Sequence, residues 1–587
     1  MPSPDSSETF VASRFGSKKH GWINLPSSDS SIYPIGARSS LSNLSDRYSL
    51  SHNPFDWGLD LSPNNKEDDD ALHMPTPKLR STRDVLVFSK RGVGNCGCLF
   101  IVIVGLLVLF IGWPVITTVN RQPYNKNGAY NIGGINSSGQ IPAISGNWGL
   151  IDLDTPKYAY TVPSWNDPSK KMQLIFSDEF NVDGRTFYPG DDPYWEAVDL
   201  HYWATNNIEW YDPEAITTEG GSLKETHNLN YEGGLMSTWN KFCFTGGYIE
   251  ASVQLPGFNN ILGFWPAIWA MGNLGRAGYG ASLEGTWPYT YDTCDIGTVA
   301  NQTINGQPVE ATINGDRKRG GVLSYLPGQK LSRCTCAGES HPGPKHPDGT
   351  FVGRSAPEID VFEAQASHSP CSDPCAFINS DTLIADVSQS AQWAPFNHAY
   401  IWDNSSQNMI IADPTISRQN TFVGSATQQA TSVTTNTDLN CYEFSGSCFS
   451  IYGFEYKPGF DEGYIAWISN GKNSWTLKAA GLGADPLVQI GNRPVPQEPM
   501  YLIMNLGMST NFGPVDLANL PFPAHMRVDY IRVYQPEDEI NIGCNPKDFP
   551  TTDYINQYIE AYTNPNLTTW VNDYQQPWPR NSYLGQC

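Results

Sequence analysis

Short runs that alternate between apolar and polar residues fill the chain between residues 171 and 536. The clearest are GGYIEASVQLP at 246–256 and RVDYIRVY at 527–534. Glycine, proline and asparagine separate the runs, and no long stretch repeats its apolar residues at helical spacing before about residue 554. Many short strands separated by turns predict an all-β domain, built as a sandwich or a barrel.

One of these runs, EIDVFE at residues 358–363, carries three acids. Strict alternation would place Glu358 and Asp360 on one face of the strand and Glu363 on the other. One extra residue, a β-bulge, would turn Glu363 back onto the first face. The backbones of the two glutamates would then lie roughly 13–16 Å apart. Their side chains, leaning inward, could approach the carboxyl separation of about 5–5.5 Å that retaining glycosidases use.

Asp360 stands between the two glutamates, where it would share a proton with one of them or orient the nucleophile. Either effect would separate the pKa values of the two outer carboxyls. The alternative is an edge strand whose three acids are simply solvated.

An uncharged apolar run covers residues 99–119. About 20 such residues are what a helix needs to span a bilayer, and this run starts too far into the chain for a cleaved signal peptide. Basic residues are more numerous before the run than after it, so the positive-inside rule places the N-terminus in the cytosol. The sequence therefore predicts a single-pass type II anchor, with the larger part of the protein in the secretory lumen or outside the cell.

The flanking regions differ in composition, which gives a predicted organisation for the whole chain. Residues 1–90 are rich in serine, proline and charge, as in a disordered cytosolic tail. The remaining predicted segments are the membrane helix at 99–119, a luminal stalk at 120–170, the β domain at 171–536 with long insertions at 272–356 and 366–448, and a C-terminal extension at 537–587. Insertions of this length inside a compact domain are typical of lids or binding loops.

Ten of the twelve cysteines follow the predicted membrane helix, an even number that suits disulfides in an oxidising compartment. The pairs at 334/336 and 371/375 could instead bind metal, but no paired histidines lie near them, so we predict no metal site. The sequence also has four N-glycosylation sequons in this region, at Asn136, Asn301, Asn404 and Asn566.

Charge and motifs exclude several function classes. The formal net charge of −23 argues against a nucleic-acid partner. No phosphate-binding loop or nucleotide-sugar motif is evident in the sequence, which argues against a synthase that draws on a nucleotide sugar.

The acidic hexapeptide at 358–363 resembles the E-I-D-x-x-E signature of glycoside hydrolase family 16, the laminarinase-like β-glucanases. Further similar stretches follow the order of that family: SDEFN at 177–181, GGYIE at 246–250, GFWPAIW at 263–269 and DYIRVY at 529–534. The resemblance implies a concanavalin A-like β-jelly-roll sandwich with a concave glucan cleft. It also implies that Glu358 is the nucleophile, Asp360 its helper and Glu363 the acid/base, with no cofactor and with room for a structural calcium ion.

A closer resemblance is to the fungal β-glucan synthesis-associated branch, type II membrane proteins required for cell-wall β-1,6-glucan. The stretches that carry it are WPY at 287–289, SQS at 388–390, APF at 394–396 and LGQC at 584–587. This resemblance implies β-glucan as the ligand, other cell-wall synthesis proteins as possible partners, and the secretory pathway from endoplasmic reticulum to plasma membrane as the location. Pro357, where the secreted hydrolases have glycine, and the two insertions argue against plain hydrolysis and favour a transglycosylase.

Tryptophans are the candidates for sugar binding. Trp265 and Trp269 are four residues apart and so share one face of a strand, where one could stack on a sugar; packing of both in the core is the alternative. Trp239 and Trp287 are weaker candidates. Two function classes stay open: an enzyme that cleaves and rejoins β-glucan, and a non-catalytic glucan-binding or scaffold protein.

Overall fold

The computed structural model describes residues 90–108, 110, 149–219, 222–226, 231–368 and 383–587. Residues 1–89 of the predicted tail, most of the predicted stalk, Asn136, Cys371 and Cys375 lie outside these residues. The chain forms two compact units, residues 1–113 and 114–587.

The described part of the first unit contains helix α1, Lys90–Leu107. Among the residues that the structure describes, no helix has both the length and the apolar character needed to cross a membrane. Residues 109 and 111–119 of the predicted membrane span lie outside the description.

The second unit is built mainly from β-strands. In the described residues the strands are β1 Thr161–Pro163, β2 Lys171–Asp178, β3 Glu196–Ala197, β4 Leu200–His201, β5 Trp210–Tyr211, β6 Ile216–Glu219, β7 Ser222–Thr226, β8 Glu232–Ser237, β9 Gly247–Gln254, β10 Trp265–Gly272, β11 Glu358–His368, β12 Leu383–Trp393, β13 Met409–Ile411, β14 Ser417–Gln419, β15 Gly424–Ser425, β16 Gln428–Asn436, β17 Ser450–Lys457, β18 Tyr464–Ser469, β19 Lys472–Lys478, β20 Met500–Gly507 and β21 His525–Pro536. The α-helices are short: α2 Gly280–Leu283, α3 Thr552–Gln557 and α4 Ile559–Thr563.

The strands form two large sheets. The first has the order β1-β2-β21-β9-β17-β18-β19-β13, with β7 and β6 attached to β21. The second has the order β14-β16-β12-β11-β10-β20-β8-β5-β4, with β15 on β16 and β3 on β8. Nearly all of these pairs are antiparallel, which confirms the prediction of an all-β sandwich.

Alternate residues of both sheets point inward and form one large hydrophobic cluster, the sandwich core. Ile268 and Ala270 of β10 belong to it, as do Ile359 and Val361 of β11 and Trp467 of β18. The second sheet thus buries one face against the first. Its opposite face carries Glu358, Asp360 and Glu363, and we call it the carboxylate face.

A second hydrophobic cluster covers part of the carboxylate face, and we call it the apolar layer. Its members from β10 and β20 are Ala267, Trp269, Met271, Tyr501 and Ile503. It is completed by residues that come from outside these strands: Val198, Leu200, Tyr211, Leu235, Trp239, Cys243, Leu274, Ala277, Tyr279, Leu331, Ala356, Cys544, Tyr554, Ile555, Ala561, Tyr562 and Trp570. The predicted C-terminal extension therefore packs on the same face as the three acids.

The two predicted insertions differ in the structure. Residues 272–356 contain α2 and otherwise mostly irregular backbone, in agreement with a long loop region. The prediction of an insertion at 366–448 is wrong for much of that range, because β12 pairs with β11 and β16 pairs with β12. These strands are rich in serine, threonine and glutamine, so their sequence resembled a polar loop.

The described residues contain four disulfides, which agrees with the oxidising environment predicted from the cysteine count. They are Cys243–Cys544, Cys294–Cys334, Cys336–Cys587 and Cys441–Cys448. The Cys294–Cys334 bond lies within residues 272–356, whereas Cys336 bonds to the last residue of the chain. Two of the four bonds therefore tie the C-terminal extension to the rest of the second unit.

Candidate active site

A β-bulge brings the three acids onto one face, as predicted. In the pairing of β11 with β12, Asp360 lies opposite Ser390 and Glu363 lies opposite Ser388. The chain therefore advances three residues on β11 while it advances two on β12. The register of the pairing with β10 shifts at the same place. Because of this extra residue, Glu363 returns to the face of Glu358 and Asp360.

Side chains behind the strand satisfy the backbone of the bulge. Trp467 Nε1 donates to the carbonyl oxygen of Asp360 at 2.8 Å, and Gln389 Nε2 donates to that of Val361 at 3.0 Å. A bulge interrupts the ladder of a sheet, and buried carbonyls left without donors are costly. Two fully buried side chains from the sandwich side thus stabilise the backbone that sets the spacing of the acids.

Asp360 lies at the centre of the three carboxyls and is 1% exposed. Ser390 Oγ donates to its Oδ2 at 2.6 Å, and Gln392 Nε2 donates to the same oxygen at 3.1 Å. Burial raises the pKa of Asp360 to about 6, against the lowering effect of these donors.

Glu358 is partly buried, and the indole Nε1 of Trp287 donates a short hydrogen bond to its Oε2. Burial, and then the neighbouring carboxyls of Asp360 and Glu363, raise the pKa of Glu358 well above its usual range.

Glu363 is partly buried at the other end of the acidic row. Trp265 Nε1 donates to its Oε1 at 3.0 Å, and the Trp265 ring stacks on Phe512 at a centroid distance of 4.4 Å. Burial, and then the Asp360 carboxyl, raise the pKa of Glu363 to about 8. This shift favours the protonated form of Glu363, which can donate a proton.

The four predicted tryptophans fall into two groups. Trp265 and Trp287 each donate to one of the two glutamates. Trp269 lies opposite Asp360 on β10, but it is buried in the apolar layer and donates to Asn505 Oδ1 at 2.8 Å. Trp239 is also buried there, with its ring stacked on Tyr562 at 5.5 Å. For Trp269 and Trp239 the core alternative is therefore the better description.

Sequence reasoning missed Ser390 and Gln392 as partners of Asp360. The available signal was their alternation with alanine and tryptophan on β12, which places them on one face. It also missed Phe512, which follows β20 in a loop without periodicity.

Comparison with known proteins identifies the family of the chain. A family model described as "Beta-glucan synthesis-associated protein SKN1/KRE6/Sbg1" matches residues 59–587. The chain belongs to this family. It is 40% identical to the beta-glucan synthesis-associated protein SKN1 of Candida albicans, over 89% of this chain and 67% of that protein. It is 38% identical to KRE6 of Saccharomyces cerevisiae, over 92% of this chain and 73% of that protein.

The chain is also similar to solved glucanase structures. The catalytic domain of an endo-1,3-beta-glucanase from Thermotoga petrophila is 19% identical, with 63% of this chain and 99% of that chain covered and a TM-score of 0.32.

The resemblance allows a structural calcium ion, which needs several oxygen ligands. Within the described residues, the group of metal-ligand side chains that lie close together is Asp438 with Cys441 and Cys448. Both cysteines are joined in a disulfide and calcium prefers oxygen ligands, so this group does not fit the ion.

Proposed function

We propose that the protein is a retaining β-glucan glycosidase or transglycosylase that acts in fungal cell-wall β-1,6-glucan biosynthesis. The observation that carries the proposal is the bulged row of Glu358, Asp360 and Glu363 on one face, with an indole donor at each glutamate. Membership of a β-glucan synthesis-associated family supports the choice of β-glucan as the substrate.

In the proposed reaction Glu358 attacks the anomeric carbon, and the bond from that carbon to the glycosidic oxygen breaks. Glu363 gives its proton to the departing oxygen, and a covalent glycosyl-enzyme forms. Glu363 then takes the proton of an incoming hydroxyl as that hydroxyl attacks the same carbon and releases Glu358. Two inversions leave the β configuration unchanged.

Two features support a sugar hydroxyl rather than water as the acceptor. Trp287, which comes from residues 272–356, donates a hydrogen bond to Glu358. The apolar layer covers the neighbouring part of the face and leaves less of it open to solvent. Exclusion of water from a reactive intermediate is what a transferase requires.

The raised pKa of Glu358 favours a second candidate, a non-catalytic glucan-binding or scaffold protein. A nucleophile must be ionised, and a protonated Glu358 could only donate or accept hydrogen bonds to a sugar. For catalysis, the proton would have to leave Glu358 and be held by Asp360. The raised pKa of Asp360 allows this.

We further propose that the protein is anchored in a membrane of the secretory pathway by residues 99–119, with the sandwich on the luminal side. The four disulfides fit an oxidising compartment. Asn301, Asn404 and Asn566 are exposed and so accessible to glycosylation. Other cell-wall synthesis proteins are the expected partners.

The test uses purified full-length protein with β-1,3- and β-1,6-linked glucose oligomers, and it identifies the products. Glu358→Gln should abolish every reaction. Glu363→Ala should still consume a β-glycosyl fluoride, whose departure needs no acid, and azide should restore the second step. If folded Glu358→Gln protein keeps wild-type activity, the nucleophile assignment is wrong. If wild-type protein binds the oligomers without converting them, the scaffold candidate is the better one.

A further inference from the structure

Two tryptophans are unusually exposed for their size and lie together. Trp203 is 68% exposed and Trp210 is 49% exposed. His201 lies between them: its ring centroid is 3.8 Å from that of Trp203 and 6.4 Å from that of Trp210. We call these three residues the ring cluster. A contiguous group of exposed rings is a better indication of a binding surface than single exposed side chains.

The ring cluster is the outer face of a hairpin whose inner face is buried. On β4 and β5, Leu200 lies opposite Tyr211 and His201 lies opposite Trp210. Leu200 and Tyr211 pack in the apolar layer, so alternation turns His201 and Trp210 outward.

Local hydrogen bonds hold the rings of Trp210 and His201, and the loop that carries Trp203, without a ligand. Trp210 Nε1 donates to Asp199 Oδ1 at 2.7 Å, and His201 Nε2 is 2.5 Å from the carbonyl oxygen of Asn207. Ser509 Oγ donates to the carbonyl oxygen of Thr205 at 2.6 Å, which fixes the loop that carries Trp203. A platform that is already rigid loses little conformational entropy on binding.

The ring cluster and the carboxylates adjoin the same apolar layer. Tyr202 lies between His201 and Trp203 in the sequence, and it packs against the apolar layer. Trp287, whose indole donates to Glu358, packs against that layer as well. Trp203 follows by one residue, and adjacent Cα atoms are about 3.8 Å apart.

The surroundings of the rings select the ligand chemistry. Between residues 186 and 223 the sequence has no lysine or arginine. Asp199 accepts the hydrogen bond from Trp210, and Glu232 lies opposite Trp210 on β8. An anionic lipid or a nucleic acid would be repelled there. A neutral polyol fits, because its hydroxyls can donate to carboxylates while its C–H faces stack on indole rings.

We propose that the ring cluster is a sugar-stacking platform that binds those units of a β-glucan chain which extend beyond the carboxylates. The choice of glucan rests on the function proposed above. The site itself is separate from the reacting groups, since none of its three residues contacts Glu358, Asp360 or Glu363 in the hydrogen bonds of the described structure.

The test measures binding of a β-1,3-linked and a β-1,6-linked glucose hexamer to the full-length protein by titration calorimetry. Trp203→Ala and Trp210→Ala should each weaken binding of at least one hexamer by roughly three- to tenfold. Trp203→Phe, which keeps an aromatic face, should restore most of the affinity. Tyr158→Ala is the matched control, because Tyr158 is 81% exposed and lies before β1, outside the ring cluster.

Oxidative footprinting provides a second readout: bound hexamer should protect Trp203 and Trp210 from oxidation. Hexamer affinities that are unchanged in both alanine variants, or rings that stay fully reactive under saturating hexamer, would overturn the proposal. These outcomes are independent of turnover. A chain that binds at the ring cluster but converts nothing contradicts the catalytic function and leaves the platform in place.

Discussion

The two faces of the second sheet are both covered by hydrophobic side chains, but they are covered in different ways. The sandwich core is filled by strand residues that alternate with outward-facing neighbours, such as Ile359 and Val361. In the apolar layer, strand residues such as Trp269 and Tyr501 meet side chains from loops and from the C-terminal extension. The acids sit at the border of this second covering.

The difference assigns separate tasks to the two hydrophobic clusters. The sandwich core fixes the strands and, through Trp467 and Gln389, the bulge that aligns the acids. The apolar layer decides how much of the carboxylate face stays open. Variation in the layer can therefore change access to the acids without altering their spacing.

The largest expected effects come from removing a buried indole from each cluster. Trp475 stacks on Trp467 in the sandwich core at 4.2 Å, and Trp570 packs in the apolar layer. Trp475→Ala and Trp570→Ala should each lower the free energy of unfolding by about 3–5 kcal/mol, because each leaves a large cavity. Denaturant unfolding followed by fluorescence and circular dichroism checks this. Two separate transitions in the wild type would show that the layer unfolds by itself, and the two variants would then act on different transitions.

The same contrast explains what the sequence could predict. Alternation along 246–256 and 527–534 indicated strands with one buried face, and β9 and β21 occupy those positions. The bulge followed from requiring Glu363 to share a face with Glu358. The apolar layer could not be predicted, because its partners, such as Trp239 and Tyr562, come from distant segments without a shared period. The same holds for the polar strands β12 and β16, whose serines and threonines hid their pairing.

Loss of a disulfide should have the next largest effect, and it should depend on which region the bond joins. Cys336–Cys587 closes a loop of 251 residues and holds the end of the C-terminal extension. The double change Cys336→Ala and Cys587→Ala should lower the free energy of unfolding by about 2–4 kcal/mol. The matched control is removal of Cys441–Cys448, which spans only 7 residues and should cost less. Equal losses measured by thermal unfolding would contradict the view that this bond stabilises the layer.

A smaller effect is expected from removing one hydrogen bond at the bulge. Trp467→Phe keeps a ring in the sandwich core but leaves the buried carbonyl of Asp360 without its donor, at a cost of about 1–3 kcal/mol. Trp402→Phe is the control, because Trp402 is buried in the same core and its Nε1 has no hydrogen-bond partner in the described structure. Urea titrations should show a clear loss for the first variant and a smaller one for the second. Oligomer turnover or binding should fall only in Trp467→Phe, and similar losses in both would mean that the indole matters for packing alone.

The last expected effect concerns pH, and it separates acids of the carboxylate face from acids elsewhere on the surface. The pKa of Glu363 is about 8 in the folded protein, whereas that of an unfolded glutamate is about 4.3. Between these values the native state holds more protons than the unfolded state, so the stability contributed by this group is complete below about pH 4 and is lost as the pH rises towards 8.

Glu363→Gln should therefore flatten the decline in unfolding free energy between pH 5 and pH 8, measured by urea titration at several pH values. Glu462 provides the comparison: it is exposed in the loop between β17 and β18, and its pKa is lowered by its hydrogen bond with Lys457, so Glu462→Gln should leave the decline in place. A Glu363→Gln profile that still falls like the wild type would show that Glu363 is ionised at neutral pH, and the proton donor in the proposed reaction would have to be sought elsewhere.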